Sequence, residues 1–190
     1  MDKTPRYRKF GIEKYVRELS SVRSVPGGGS ASALTGAVGL SLLIKSIRLT
    51  LKKGTRYRCF VKYVKTLVIL RDSLLQLMEE DAKVYENFIK QRDASSVRKI
   101  YAVSEDMLVK QARGCRIALE ILPMVYLPIK VDVLAGLSFL LSASTASLKL
   151  AQNNLALLPE SERKGKKRYF FLKNRIRQLK TLKNRFEKIY

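Results

Sequence analysis

Three consecutive glycines and two nearby serines stand where an apolar segment begins: Gly27, Gly28, Gly29, Ser30 and Ser32. Backbone N–H groups at the start of a helix lack intrahelical partners and carry partial positive charge. Glycines let a ligand approach those groups closely, and serine hydroxyls either bind the ligand or cap the helix. The stretch therefore predicts a cradle for an anion or a heterocycle, with a tight packing turn as the alternative.

A carboxylate lies on the apolar face of another predicted helix. Leu74, Met78, Tyr85 and Phe88 recur at steps of three and four residues, and Asp81 occupies the missing position of that stripe. Burying an unpaired charge is costly, so such an acid is either paired with a basic residue or functional. The residues alone leave both alternatives open.

Asp132 is a second candidate acid, and it stands at a predicted helix start. Its alternative role is structural, because an acid in the first turn also stabilises a helix. Asn154 lies near the end of the same helix, where asparagine often acts only as a cap. These two residues are 22 positions apart, which is about 33 Å in an unbroken helix. They therefore cannot share one site within a monomer.

The composition limits the chemistry that is available. The chain has 190 residues and no histidine, which removes the commonest general base and the commonest metal ligand. Its two cysteines, Cys59 and Cys115, show neither metal-ligand nor disulfide spacing. The first twenty residues are charged throughout and show no signal pattern. We therefore expect no metal site and a cytoplasmic location, with acid–base work left to Asp, Glu, Lys, Tyr or Cys.

The formal net charge of +22 predicts an affinity for polyanions. Nucleic acid, an acidic membrane surface and a small ligand rich in carboxylates or phosphates all fit this charge. The charge does not choose among them, and basic residues also keep a protein soluble.

The apolar spacing predicts helices throughout and one all-α domain over residues 1–190, a bundle of about six helices that includes one long helix. Two unusually apolar segments, 30–44 and 133–148, are shorter than the roughly 20 residues of a membrane span. We interpret both as central helices of a soluble bundle, with membrane insertion as the alternative. The predicted helices cover residues 9–20, 30–51, 56–90, 95–122, 131–158 and 160–189.

Four stretches of the sequence together resemble one protein family. They are "YVRELSS", "VPGGGSASALTGAVGLSLLIKSIRLTLKK", "EEDAKVY" and "VDVLAGLSFLLSASTASLKLAQNNL". In order and spacing they resemble the cyclodeaminase/cyclohydrolase family. This family includes the C-terminal domain of formiminotransferase-cyclodeaminase and free-standing methenyltetrahydrofolate cyclohydrolases. The resemblance covers about residues 10–158.

The resemblance implies an all-α bundle that forms homodimers through helix packing and acts without a cofactor. The implied substrate is a tetrahydrofolate derivative, possibly with a polyglutamate tail. The implied reaction is closure of 5-formiminotetrahydrofolate to the 5,10-methenyl compound with release of ammonia, or hydrolytic opening of that compound to 10-formyltetrahydrofolate. The implied catalytic residues are Asp81 and Asp132. The implied substrate-binding residues are Gly27, Gly28, Gly29, Ser30, Ser32, Lys52 and Asn154.

Two alternatives to this enzyme remain open from the sequence. Family members usually carry an asparagine four residues before the position of Asn154, where this chain has Leu150. That departure fits a catalytically inactive, folate-binding relative. The basic charge fits a helical protein that binds nucleic acid or an acidic membrane surface.

Overall fold

The chain folds into a helical bundle, which confirms the predicted all-α class. The computed structural model describes residues 7–54, 57–163, 174, 177–182, 184–185 and 187–188, and within them there are helices but no strands. The long predicted helix is α3, with 34 residues. The helices are α1 (Ile12–Leu19), α2 (Gly28–Lys52), α3 (Arg58–Gln91), α4 (Ala94–Ile121), α5 (Lys130–Ala156) and α6 (Glu160–Arg163). Short 3₁₀ helices precede α1 (Tyr7–Lys9) and α5 (Leu127–Ile129).

The start of α2 differs from the prediction and corrects the expected capping role of Ser30. The helix begins two residues earlier, and its N-cap is Gly27, which makes no side-chain capping hydrogen bond. Ser30 therefore lies inside the first turn and is fully buried. A carboxylate from α3 accepts a hydrogen bond at this helix start instead, as described below.

The other boundaries agree with the prediction within about three residues wherever the structure describes them. Proline removes a backbone donor, and α4 ends just before Pro123, as expected. The predicted helix over residues 160–189 is described only in part: α6 and residues 177–182 are helical. Apolar residues recur along this predicted helix at steps of three and four, which predicts an apolar stripe, and Leu179 and Leu182 of that stripe are buried. The other members of that stripe lie outside the described residues: Leu172, Ile176, Phe186 and Ile189.

The central helix is α2, which packs against α3, α4 and α5. It runs antiparallel to α5, because Ser32 contacts Ser147 while Lys45 contacts Asp132. Small residues bring these two helices close together. A Cβ atom added at Gly136 would lie 2.9 Å from the carbonyl oxygen of Gly39. The largest side chains that are almost completely buried surround this axis, among them Leu40, Leu43, Ile47, Phe60, Leu67, Leu74, Met107, Leu108, Leu137 and Leu140.

Two segments are long and apolar enough to cross a membrane by length and composition alone: Gly28–Lys52 and Leu127–Ala156. Core helices of soluble proteins pass the same test, so this is weak evidence for a span. Here the two helices pack on each other and on their neighbours, and they carry buried serines that bond between them. These contacts favour the interpretation of both as central helices of the bundle.

We predict that Gly136→Val destabilises the bundle by about 1–3 kcal/mol, the usual range for overpacking a core. The new side chain meets a backbone carbonyl, which cannot move aside as a flexible side chain can. Denaturant unfolding measures the change in the free energy of unfolding. Ser142→Val on the exposed face of the same helix is the control, since serine and valine have similar helix propensities. Equal stability of the two variants would contradict the close α2–α5 contact.

Candidate active site

The carboxylate of Asp81 lies directly against the amino end of α2. The backbone N–H of Ser30 donates a hydrogen bond to it. At Gly29 an added Cβ atom would overlap the Asp81 carboxylate, so any side chain at that position requires the carboxylate to move. At Gly28 an added Cβ atom would meet nothing within 4 Å, and this residue is exposed. The glycine run thus combines one position that seats a carboxylate with one that faces open space.

Asp81 is a carboxyl group whose charge is poorly compensated. Desolvation by burial raises the pKa of Asp81 to about 6, although the hydrogen bond from the Ser30 N–H opposes that rise. Within the part of the chain that the structure describes, no cationic side chain forms an ion pair with Asp81. The neighbouring Glu79 turns the other way and pairs with Arg8 at 3.0 Å. Asp81 can therefore gain or lose a proton near neutral pH, which is the property of a general acid or base.

Tyr15 is a site residue that sequence reasoning missed. Its hydroxyl lies 3.0 Å from the Ser30 hydroxyl, and its side chain is buried. Burial is the main cause that raises the pKa of Tyr15, and the negative charge of Asp81 raises it further. The ring of Tyr7 packs edge-on against Tyr15 at a centroid distance of 6.1 Å. One sequence signal could have identified it: Tyr15 lies on the apolar side of a short amphipathic helix. A tyrosine that is buried there needs a hydrogen-bond partner for its hydroxyl.

The structure places Ser32 in the bundle core, bonded to protein groups. Its hydroxyl donates to the carbonyl oxygen of Ala143 at 2.9 Å and lies 2.8 Å from the Ser147 hydroxyl. The side-chain amide of Gln111 donates to the Ser32 carbonyl oxygen at 3.1 Å. These contacts join α2, α4 and α5 one turn below the glycines. Ser32 thus stabilises the position of α2, the helix that begins at the glycines.

Asp132 and Lys52 lie far from the glycines of their own chain. Asp132 is in the first turn of α5, as predicted, and its carboxylate pairs with Lys45 at 2.8 Å. Lys45 is 16 residues after Gly29, which corresponds to about 24 Å along α2. Lys52 is the last residue of α2 and is exposed. Within one chain, neither residue joins Asp81.

Asn154 connects α5 to α4. Its side-chain amide donates to the carbonyl oxygen of Ile100 at 3.2 Å and to the hydroxyl of Ser104 at 2.9 Å. The side chain is buried, so its contacts are those of an interhelical tie, whereas a cap would bond within its own helix. As predicted, α5 is unbroken between Asp132 and Asn154 and keeps the two apart.

No group of three or more Cys, Asp or Glu side chains suitable for a metal ion occurs among the described residues.

Comparison with known proteins decides the family. A family model described as formiminotransferase-cyclodeaminase matches residues 11–169. The chain belongs to this family. A crystal structure of formiminotetrahydrofolate cyclodeaminase from Thermotoga maritima shares the fold, with a TM-score of 0.88 and 15% sequence identity, covering 95% of this chain and 96% of that one. A search of curated proteins gave no match. The family resemblance inferred from the four sequence stretches is therefore confirmed.

We predict that Gly29→Ala lowers the pKa of Asp81 from about 6 towards its ordinary value near 3.8. The added methyl group overlaps the carboxylate, so Asp81 must move away from its enclosed position towards water. NMR of the labelled carboxyl carbon during a pH titration measures this pKa.

Gly28→Ala is the matched control, because its methyl group enters open space and should leave the pKa unchanged. An Asp81 pKa that stays near 6 in Gly29→Ala would contradict the contact between this glycine and the carboxylate.

Proposed function

We propose that the protein is an enzyme of tetrahydrofolate one-carbon chemistry that forms or opens 5,10-methenyltetrahydrofolate. The observation that carries the proposal is the Asp81 carboxyl group, seated on the glycine start of α2 with a pKa near 6. Membership of the formiminotransferase-cyclodeaminase family supports this class of substrate.

The chemistry of Asp81 suits either direction of the reaction. The methenyl compound is an amidinium-like cation, which a nearby carboxylate stabilises. Ring closure needs a proton for the departing ammonia, and ring opening needs a base that activates water. The open space beside Gly28 lies next to the first-turn N–H groups of α2, where a substrate group can approach the backbone.

The outer face of α2 and α5 supports the proposed homodimer. Val38 on α2 and Phe139 on α5 are 45% and 41% exposed, and they flank the close contact of these helices. Exposed apolar side chains that cluster on one face mark an association surface. Lys45 lies seven residues after Val38, so it shares that face of α2, and the Lys45–Asp132 pair lies beside it.

A two-fold axis perpendicular to α2 near Val38 would bring the separated halves of the predicted site together. The two α2 helices would run antiparallel across such an axis. Residue 45 of one copy would then lie level with residue 31 of the other, half a turn from Gly29. We propose that the partner subunit's Asp132 completes the site at Asp81, and that Lys52 approaches it from the same side to hold glutamate carboxylates. No cofactor enters this scheme.

The test of the reaction is to supply 5-formimino- and 5,10-methenyltetrahydrofolate in turn and to follow the methenyl absorbance. We predict that Asp81→Asn folds and lowers turnover by about 10²–10⁴, the usual scale for loss of a general acid or base. The wild-type rate should change around pH 6. It rises with pH if Asp81 must be ionised to act as a base, and falls if Asp81 must be protonated to act as an acid.

The direction of that pH change therefore separates water activation from proton delivery, and Asp81→Asn should abolish it. Saturable binding of both compounds with turnover of neither would show that the protein is a catalytically inactive, folate-binding relative. Full activity of Asp81→Asn would overturn the role proposed for this carboxyl group.

We predict that two inactive variants, Asp81→Asn and Asp132→Asn, restore activity when they are co-expressed. A mixed dimer then holds one site with both native carboxylates, so recovery should reach about a quarter of the wild-type rate for random pairing. Co-expression of Asp81→Asn with Asp81→Ala is the control and should restore nothing, because both changes remove the same carboxylate and no mixed dimer regains it. Full activity of Asp132→Asn alone would show that Asp132 only pairs with Lys45.

A further inference from the structure

A groove between the first half of α3 and the last half of α4 is lined by basic side chains. Its cavity volume is about 460 Å³. The positively charged groups are Lys62 from α3 and Arg113 and Arg116 from α4. The remaining lining residues are Cys59, Tyr63, Thr66, Ile117 and Glu120.

Among the described residues, these three cations form no ion pair with an acid, and they converge on one cavity. Among the described residues, Arg8, Arg17, Arg23, Lys45, Arg71, Arg98 and Lys110 each form an ion pair with an acid. Glu120 lies in the groove, but its carboxylate accepts a hydrogen bond from the Tyr63 hydroxyl at 2.9 Å and forms no ion pair with a described residue. The groove thus gathers three cations around a single acid, which offsets only part of their charge.

We propose that this groove binds the phosphate group of a phosphate monoester. Three cations and one carboxylate leave two positive charges in excess. A phosphate monoester carries about −1.5 to −2 at neutral pH, which matches that excess in one compact group. Two arginines provide the planar donor pairs that suit phosphate oxygens. The Thr66 hydroxyl adds a further hydrogen-bonding group to the lining.

The groove is separate from the Asp81 site of its own chain. Lys62 and Asp81 are 19 residues apart on α3, about 28 Å along the helix. The inference therefore does not rest on the proposed folate reaction, and Asp81→Asn should leave phosphate binding unchanged.

Cys59 provides a readout inside the groove that is independent of activity. It is half-buried and lines the cavity. Cys115 is buried, and burial raises the pKa of its thiol to about 12, so it should not react at neutral pH. The rate at which a thiol reagent modifies the folded protein thus reports on Cys59.

The experiment measures binding by calorimetry and protection of Cys59 from alkylation at about 0.15 M salt, where distant charges are screened. The probes are phenyl phosphate as a small phosphate monoester, a single-stranded oligonucleotide with and without a 5′-phosphate, and citrate as a carboxylate. We expect phenyl phosphate to bind and to slow alkylation at least fivefold, and citrate to do neither. Stronger binding of the 5′-phosphorylated oligonucleotide than of phenyl phosphate would identify a nucleic-acid end as the source of the phosphate. The reverse order would identify a small phosphate compound.

The decisive variant is Lys62→Gln/Arg113→Gln/Arg116→Gln, which should lose at least tenfold in affinity for phenyl phosphate. Its matched control is Arg48→Gln/Lys90→Gln/Lys99→Gln, which removes the same charge from exposed positions on other faces and should change affinity by less than threefold. An equal loss in both triple variants would overturn the site in favour of a general charge effect. Equal binding of citrate, or no binding of any phosphate probe, would overturn the proposed ligand class.

Discussion

The bundle depends on the absence of side chains at three positions of α2. Gly29 admits the carboxylate of Asp81 from α3, Gly36 admits the side chain of Gln111 from α4, and Gly39 admits the backbone of α5 at Gly136. Each neighbouring helix approaches the central one at a glycine, where a methyl group would meet protein atoms at 3.0 Å or less. Glycine lowers helix stability by about 1 kcal/mol per interior residue. The dense packing that it permits offsets that cost.

The same constraint produces the electrostatics of the candidate site. Asp81 is desolvated because the backbone of α2 lies against it, and this burial is the main cause of its raised pKa. The Ser30 N–H that contacts the carboxylate belongs to a helix held in place by the Ser32–Gln111 bonds. The protonation of Asp81 is thus coupled to the packing of the bundle. A substitution that changes the spacing of the helices therefore alters the pKa of Asp81, even when the substituted residue does not contact the site.

Local patterns were sufficient to predict the helices, the glycine loop and the unusual position of Asp81. Apolar spacing indicated the inward face of α3 only in part, because Leu74 and Met78 are buried whereas Tyr85 of the same stripe is 40% exposed. An acid beside the buried part of that stripe had to be exceptional. The Tyr15–Ser30 pair was beyond such reasoning, because it depends on how α1 folds back across residues 20–27. Gly28 and Gly29 are indistinguishable in the sequence, although one faces open space and the other a carboxylate. In the sequence, Ser32 resembled a ligand-binding residue because no local pattern reveals its hydrogen-bond partners. They come from residues more than 75 positions away.

The net charge of +22 shows why a sum of charges predicts so little about partners. Several exposed basic residues already have an acid within hydrogen-bond distance, and such surface pairs contribute little energy and attract little from afar. Screening restricts the remaining cations to ligands within about 8–10 Å at physiological ionic strength. The place where unpaired cations converge therefore determines where an anion binds. Lys62, Arg113 and Arg116 converge on a cavity, whereas the candidate active site combines the backbone N–H groups at the start of α2 with the carboxyl group of Asp81 from α3. Because one region is strongly cationic and the other contains a titrating acid, the two favour different ligands.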